Sequence, residues 1–214
     1  MITVVANLKG GAGKSTVAFN LAVWLAMHDE SVTAFDLDPQ RTLTDVTEVR
    51  GEEGGVPSFD LYYGGVELVD TISKTGGEVI VDVGTADMVA VTGALGIADR
   101  VLVPVPPSQA DIWSTQRFLT LLRHSVANNT PQVFVFVNRA DTHHSVRESD
   151  EAEQALAELD GITLLKQRLC QRTAFRRSFT EGMGVFEMVP WSKASREFMR
   201  FAAELYPGMS SAQV

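Results

Sequence analysis

Short apolar runs and helical patterns alternate along the chain. Ile2–Ala6 is the first run, β-rich and of strand length. Beyond Lys14, apolar residues stand at Val17, Ala18, Leu21, Ala22, Leu25 and Ala26, the spacing of an amphipathic helix. Val32–Leu37, Val79–Val83, Val101–Val105 and Val133–Val137 repeat the strand pattern with β-branched residues, and Ser58–Tyr63 is a further candidate. Near-continuous apolar strands suit a parallel sheet covered on both faces. Helical patterns lie between them at 111–127 and 148–159. The polar stretch 41–55, with Gly51, Gly54 and Gly55, reads as a loop or short helix at the sheet's rim. The pattern predicts an α/β fold, a doubly wound, mostly parallel twisted sheet with helices on both faces. Residues 1–205 are expected to form a single domain and 206–214 a flexible C-terminal tail.

Composition narrows this picture. With 214 residues, 45% of them hydrophobic, the chain can bury one sizeable core. Its one cysteine, Cys170, cannot form an internal disulfide or a cysteine-built metal cluster, and fits a reducing compartment. No run of about 18 apolar residues predicts a membrane span, and no basic region precedes the first apolar run as in a secretory signal. The net charge of −9, taken globally, disfavours a nucleic-acid binder. The charge is unevenly spread. Residues 161–214 hold eight Lys or Arg against four Asp or Glu, whereas residues 1–160 hold ten against 23.

Candidate chemistry begins after the first strand. Asn7-Leu8-Lys9-Gly10-Gly11-Ala12-Gly13-Lys14-Ser15-Thr16 joins that strand to a helix, the context a phosphate-binding loop needs. Glycines let backbone N–H groups turn towards phosphate oxygens, and the helix N-terminus adds positive dipole. In such a loop Lys14 reaches the β- and γ-phosphates and the Ser15 hydroxyl ligates Mg²⁺. Val32–Leu37 runs into Asp36-Leu37-Asp38-Pro39-Gln40, with two carboxylates at a strand's carboxyl end. Glu78-Val79-Ile80-Val81-Asp82 is a mostly apolar run closing on an acid, a Walker B pattern in which Asp82 holds Mg²⁺ through water or anchors Ser15.

The loop departs from the common pattern in having Leu8 at its first position and a second lysine at Lys9. This Lys-Gly-Gly-Ala-Gly-Lys-Ser-Thr arrangement resembles the deviant Walker A motif of the ParA/MinD family of ATPases, a P-loop NTPase class. The resemblance runs over about residues 1–205. It implies that Lys9 crosses a homodimer interface to the partner's ATP, stabilising transition-state charge much as an arginine finger does. By the same resemblance Asp38 orients or activates the attacking water, and Asp36 supports Mg²⁺ through water or faces Lys14. Family members usually carry Pro-Pro where this chain has Gly84-Thr85.

Asn138-Arg139-Ala140-Asp141 ends another strand and admits two readings. Guanine-binding proteins use Asn-Lys-x-Asp, from which Arg139 departs because guanidinium and ammonium differ in geometry. ParA-like proteins carry Asn here, often followed by Arg, and the resemblance implies adenine contact by Asn138. It also implies that Pro190, in Val189-Pro190-Trp191-Ser192-Lys193, closes over adenine. The reading favours ATP.

The basic quarter holds Arg172, Arg176 and Arg177, together with Lys193, Arg196 and Arg200, the last three on one helix face. Glu197 and Glu204 could neutralise that face. ParA relatives bind DNA without sequence preference through such C-terminal residues, a salt-sensitive interaction. The polar C-terminus lacks a MinD-like amphipathic membrane anchor. His143 and His144 read as solvated, and Asp111 is assigned no chemistry.

The implied protein is a cytoplasmic, nucleoid-associated ATPase with no membrane partner and no separate N-terminal DNA-recognition domain. A ParB-like or cargo adaptor protein stimulates its slow hydrolysis. Its default cargo is a plasmid or chromosome, with a protein cluster or microcompartment as the alternative. Rival classes are a DNA-recruitment scaffold with little hydrolysis and a GTP-driven targeting protein.

Overall fold

A computed structural model describes residues 1–28, 30–126, 130–143 and 147–209. The first half runs β1 (Ile2–Val5), α1 (Lys14–Ala26), β2 (Val32–Asp36), α2 (Thr42–Glu52), β3 (Asp60–Tyr63), α3 (Val69–Lys74), β4 (Glu78–Asp82) and α4 (Met88–Ile97). The second runs β5 (Arg100–Val105), α5 (Gln109–Ser125), β6 (Gln132–Ala140), α6 (Glu148–Ala157), β7 (Thr163–Leu164), β8 (Leu169–Cys170), α7 (Thr173–Thr180), α8 (Val185–Met188) and α9 (Lys193–Leu205). The sheet order is β3-β2-β4-β1-β5-β6-β7, with β8 also paired to β6. Every pairing between these strands is parallel.

Parallel strands need crossovers, so the helices lie on both faces and both faces are apolar. The alternation is visible in β1, where Val4 packs with Phe35, Val81 and α4 while Val5 packs with α1 and Ile80. The chain reverses its direction of progress across the sheet at β1, which lies between β4 and β5. That switch point opens a crevice at the strands' carboxyl ends.

Three expectations need correction. The α1 helix is buried nearly all round rather than amphipathic. Its second side is covered by α8 and α9, with the Trp24 ring 5.8 Å from Tyr206 and the Val185 N–H donating to Asn20 Oδ1. The stretch 41–55 holds an 11-residue helix, α2. Arg50 anchors it, because the buried guanidinium donates to Glu187, Pro57 O and Gly182 O. Of the two readings, loop or short helix, the helix holds, and it runs longer than its polar composition suggests because the stabilising contacts are tertiary.

The third correction concerns the expected tail. Tyr206 is 3% exposed, with Arg100 4.6 Å from its ring centroid and its hydroxyl 3.4 Å from Thr3 Oγ1. Met209 packs against the same core. Ala127, the predicted end of the fifth helix, and residues 210–214 lie outside the described residues. Replacing Tyr206 by Ala should lower the unfolding free energy by about 3 kcal/mol in a denaturant titration. A loss under about 0.5 kcal/mol, the usual surface value, would mean that the chain frays from 206.

Candidate nucleotide site

The glycine loop follows β1 at the switch point. Asn7, 4% exposed, braces its start by donating from Nδ2 to Pro104 O at 2.8 Å. Gly11 and Gly13 have φ of +78° and +90°, conformations that disfavour any L side chain. Gly13 ends the loop and starts α1, and the first hydrogen bond within the helix runs from Val17 N–H to Gly13 O. The preceding N–H groups of the first turn have no helical acceptor, as at any helix start. Space is also limiting at Gly13. A Cβ there would stand 2.5 Å from Asn138 Nδ2, which donates to Ala12 O at 2.7 Å. Asn138 reaches this position because β6 is bulged between Asn138 and Ala140, with Arg139 at φ +56°.

Lys14 and Ser15 open α1 beside the ends of β2 and β4. In register, Asp82 is level with both Val5 and Asp36. Asp82 is fully buried, and neither carboxylate oxygen has a hydrogen-bond partner among the described residues. Burial pushes its carboxyl up to about 7, reinforced by the negative charges of Asp36 and Asp38. Ser15 and Lys14 act in the opposite direction, favouring the charged form. An orphaned buried carboxylate beside a hydroxyl suits a hard dication, which takes oxygen ligands and keeps several waters.

Asp36 is engaged differently. Its Oδ2 accepts from the Thr44 N–H and hydroxyl, both at 2.8 Å, and its Oδ1 accepts from Asp38 N–H at 3.0 Å. These bonds fill three of about four lone-pair positions. They fix the turn carrying Asp38 to the start of α2, and no ion pair among the described residues joins Asp36 to Lys14. Burial raises the Asp36 carboxyl, against these hydrogen bonds. The Asp38 Oδ1 accepts from Gln40 N–H at 3.0 Å.

Lys9 points towards Asp111 rather than standing free. Its Nζ lies 2.9 Å from Asp111 Oδ2, with the lysine side chain 43% exposed and the aspartate 4%. Ser108, the N-cap of α5, also donates to Asp111 Oδ2. Position in a first helical turn, the one sequence signal at Asp111, did not reveal this role.

A cavity of about 200 Å³ continues from the loop. Gly13, Asn138, Cys170, Gln171, Arg172 and Phe175 are among its lining residues. Pro190 is not one of them. It is exposed between α8 and α9, so the structure does not bring it to Asn138 as expected. Leu169, Cys170, Gln171, Arg172 and Phe175 line the cavity without a sequence signal for that role, because a two-residue strand and its turn carry no periodicity. Asp141, which a guanine-binding reading needs, is likewise absent from the lining.

The basic residues divide into two groups. Arg172, expected among the DNA contacts, is half-buried and donates from Nε to Glu197 Oε2 at 2.9 Å. Arg168 is paired with Asp150 and Glu153. Arg176 and Arg177 on α7, with Lys193, Arg196 and Arg200 on α9, are exposed and make no ion pair among the described residues. The acids that could neutralise them are engaged elsewhere. Glu197 binds Arg172, and Glu204 accepts from the N–H groups of Lys166 and Gln167. No cluster of three or more His, Cys, Asp or Glu that could hold a metal ion occurs among the described residues, and His144 lies outside them.

A glycine loop after the central strand, a buried lysine at the following helix start and an acid at the adjacent strand end define a P-loop nucleotide-binding protein. Residues 3–185 match the CobQ/CobB/MinD/ParA nucleotide binding domain, and the chain belongs to that family. Protein ParA of Rhizobium radiobacter is 32% identical over 200 residues, covering 87% of this chain and 86% of that one. Maintenance of carboxysome distribution protein A of Halothiobacillus neapolitanus is 26% identical over 189 residues, 86% of each chain. A Borrelia burgdorferi plasmid partition protein bound to AMPPNP shares the fold, with a TM-score of 0.75 at 18% identity over 97% of this chain and 99% of that one. The chain is thus a ParA/MinD-type ATPase of the kind involved in partition or positioning.

Gly13→Ala should weaken ATP binding by at least about tenfold, or 1.4 kcal/mol, in a titration with a fluorescent ATP analogue. The added methyl group would push Asn138 off the loop and force an unfavourable φ. Unchanged affinity in a folded variant would contradict this account of the loop.

Proposed function

We propose that this protein binds ATP with Mg²⁺, closes as a homodimer around two nucleotides, and holds DNA without sequence preference. A partner protein then stimulates slow ATP hydrolysis, and the cycle partitions or positions a cargo. One observation carries this reading. Helix α7 lines the cavity beside Gly13 with Phe175, Arg176 and Phe179, exposes Arg177 to solvent, and meets α9 through Phe175, whose ring lies 6.5 Å from that of Phe198. One segment can therefore register both nucleotide and DNA.

In this reading the loop from Gly10 to Thr16 cradles the phosphates and Lys14 binds the β- and γ-phosphates. Ser15 would hold Mg²⁺ directly, with Asp82 and the remaining lone pair of Asp36 acting through water; the ion would neutralise charge on the β- and γ-phosphates. Asn138 and the Gln171–Phe175 wall take adenine. Arg139 in place of the lysine of a guanine-binding motif supports ATP over GTP. AMPPNP in the Borrelia relative is consistent with the same choice.

Lys9 is held by Asp111 in the single chain and is reachable from solvent. To act on the partner's ATP it exchanges this carboxylate for phosphate. Asp38 orients the water that attacks the γ-phosphorus, giving ADP and phosphate. Dimer closure then brings two sets of Arg176, Arg177, Lys193, Arg196 and Arg200 to one DNA molecule, and hydrolysis releases it, a shift in population between two states. Residues 1–209 act as one domain in this cycle.

In the same reading DNA binding keeps the protein on the nucleoid in the cytoplasm; no helix among the described residues is long and apolar enough to cross a membrane. The Rhizobium and Borrelia relatives favour plasmid or chromosome DNA as cargo, served by a ParB-like partner. The Halothiobacillus relative supports a second reading, in which the cargo is a protein microcompartment carried through an adaptor over DNA.

Lys9→Ala should bind ATP as a monomer but fail to dimerise, measured by light scattering with and without ATP. Normal ATP-dependent dimerisation would refute the role of Lys9 across the interface. Changing Arg196 and Arg200 together to Glu should abolish retention on duplex DNA in ATP without altering ATP affinity. Retention at the wild-type level would exclude the α9 face as the DNA surface.

A further inference from the structure

Gly84 follows β4, two residues beyond Asp82, and is buried. Its φ lies outside the left-handed region, so its backbone conformation does not demand glycine. Space does. A Cβ built on Gly84 would stand 2.5 Å from Asp38 Cγ, 2.6 Å from Oδ1 and 2.9 Å from Oδ2. These similar distances mean that the carboxylate lies broadside against the Gly84 backbone.

The backbone of Asp38 is held independently of this contact. Its N–H donates to Asp36, which Thr44 locks to α2, and its carbonyl accepts from Arg41 N–H at 2.9 Å. Among the described residues the carboxylate has one hydrogen bond, from Gln40 N–H at 3.0 Å. Gly84 supplies its second constraint, a surface without a side chain.

We propose that Gly84 is a positioning residue for hydrolysis, setting where the Asp38 carboxylate stands. This rests on the reading that Asp38 orients the attacking water. In that step the water oxygen bonds to the γ-phosphorus, the bridging oxygen leaves with ADP, and a water proton passes to Asp38 and is released with phosphate.

A methyl group at residue 84 meets the end of a short side chain, while Val83 beside it is locked in the core at 1% exposure. The easier adjustment is rotation of Asp38, which moves the carboxylate without disturbing the fold or the phosphate loop. A displacement of about 1 Å in a reacting constellation can cost on the order of a hundredfold in rate.

The test compares wild type, Gly84→Ala, Asp38→Asn and the double variant for ATP turnover in Mg²⁺ with duplex DNA present. ATP affinity and thermal unfolding are measured alongside. Gly84→Ala should lower kcat by at least about tenfold with affinity and melting temperature unchanged. In the Asp38→Asn background it should cause no further loss, because the two residues act as a unit.

Wild-type turnover by Gly84→Ala, while Asp38→Asn is impaired, overturns the proposal. So does an equal loss in both backgrounds, since the effect would bypass Asp38. Loss of folding or of ATP affinity in Gly84→Ala overturns it as well, because the backbone would then have moved instead of the carboxylate. Wild-type turnover by Asp38→Asn removes the underlying reading, and that failure is distinct from the others.

Discussion

The site is organised around one costly group, the Asp82 carboxylate, fully buried at the end of β4 beside the Ser15 hydroxyl, with no hydrogen bond of normal geometry to either oxygen among the described residues. An unpaired buried charge costs several kcal/mol, so such a group shifts its pKa or acquires a counter-charge. Parallel pairing fixes its surroundings, because register sets Asp82 level with Val5 on one side and Asp36 on the other. The loop after Val5 delivers Lys14 and Ser15. Asp36 spends its oxygens on Thr44 and Asp38, holding the neighbouring turn. Asp82 is thereby left as the carboxylate with open lone pairs, where a bound cation and phosphates would complete the arrangement.

A second consequence is the division of charge. Residues 1–160 carry a net −13 and residues 161–214 a net +4, with Arg176, Arg177, Lys193, Arg196 and Arg200 exposed on α7 and α9. Their freedom depends on where the nearby acids are committed. Glu197 is bound to Arg172 at the cavity wall and Glu204 to the backbone after β7. A phosphate-directed surface can therefore coexist with an acidic protein, with affinity set by a few local cations and by salt.

The parallel core was readable because Val79–Val83 and Val101–Val105 are short, rich in β-branched residues and, apart from Asp82, apolar. The glycine loop was readable because few sequences place Gly-x-Gly-Lys-Ser between such a strand and a helix. Contacts between residues distant in sequence were not. Asp111 meets Lys9 across 102 residues, and Asn138 meets Ala12 across 126. Helix α2 depends on Arg50 reaching Glu187, and Tyr206 looked like tail because its partners, Trp24 and Arg100, are remote in sequence. Pro190 was placed by resemblance in a segment where this chain carries Val189 in place of an acid, and it lies outside the cavity lining.

The central claim is that the Asp82 crevice is built for a metal-bound nucleoside triphosphate. Calorimetric titration of ATP into the protein, with Mg²⁺ and then with the divalent cation chelated, tests it most directly. The account predicts tight binding with Mg²⁺ and an affinity at least about tenfold weaker without it, a difference of 1.4 kcal/mol. Equal affinity in both titrations would contradict it.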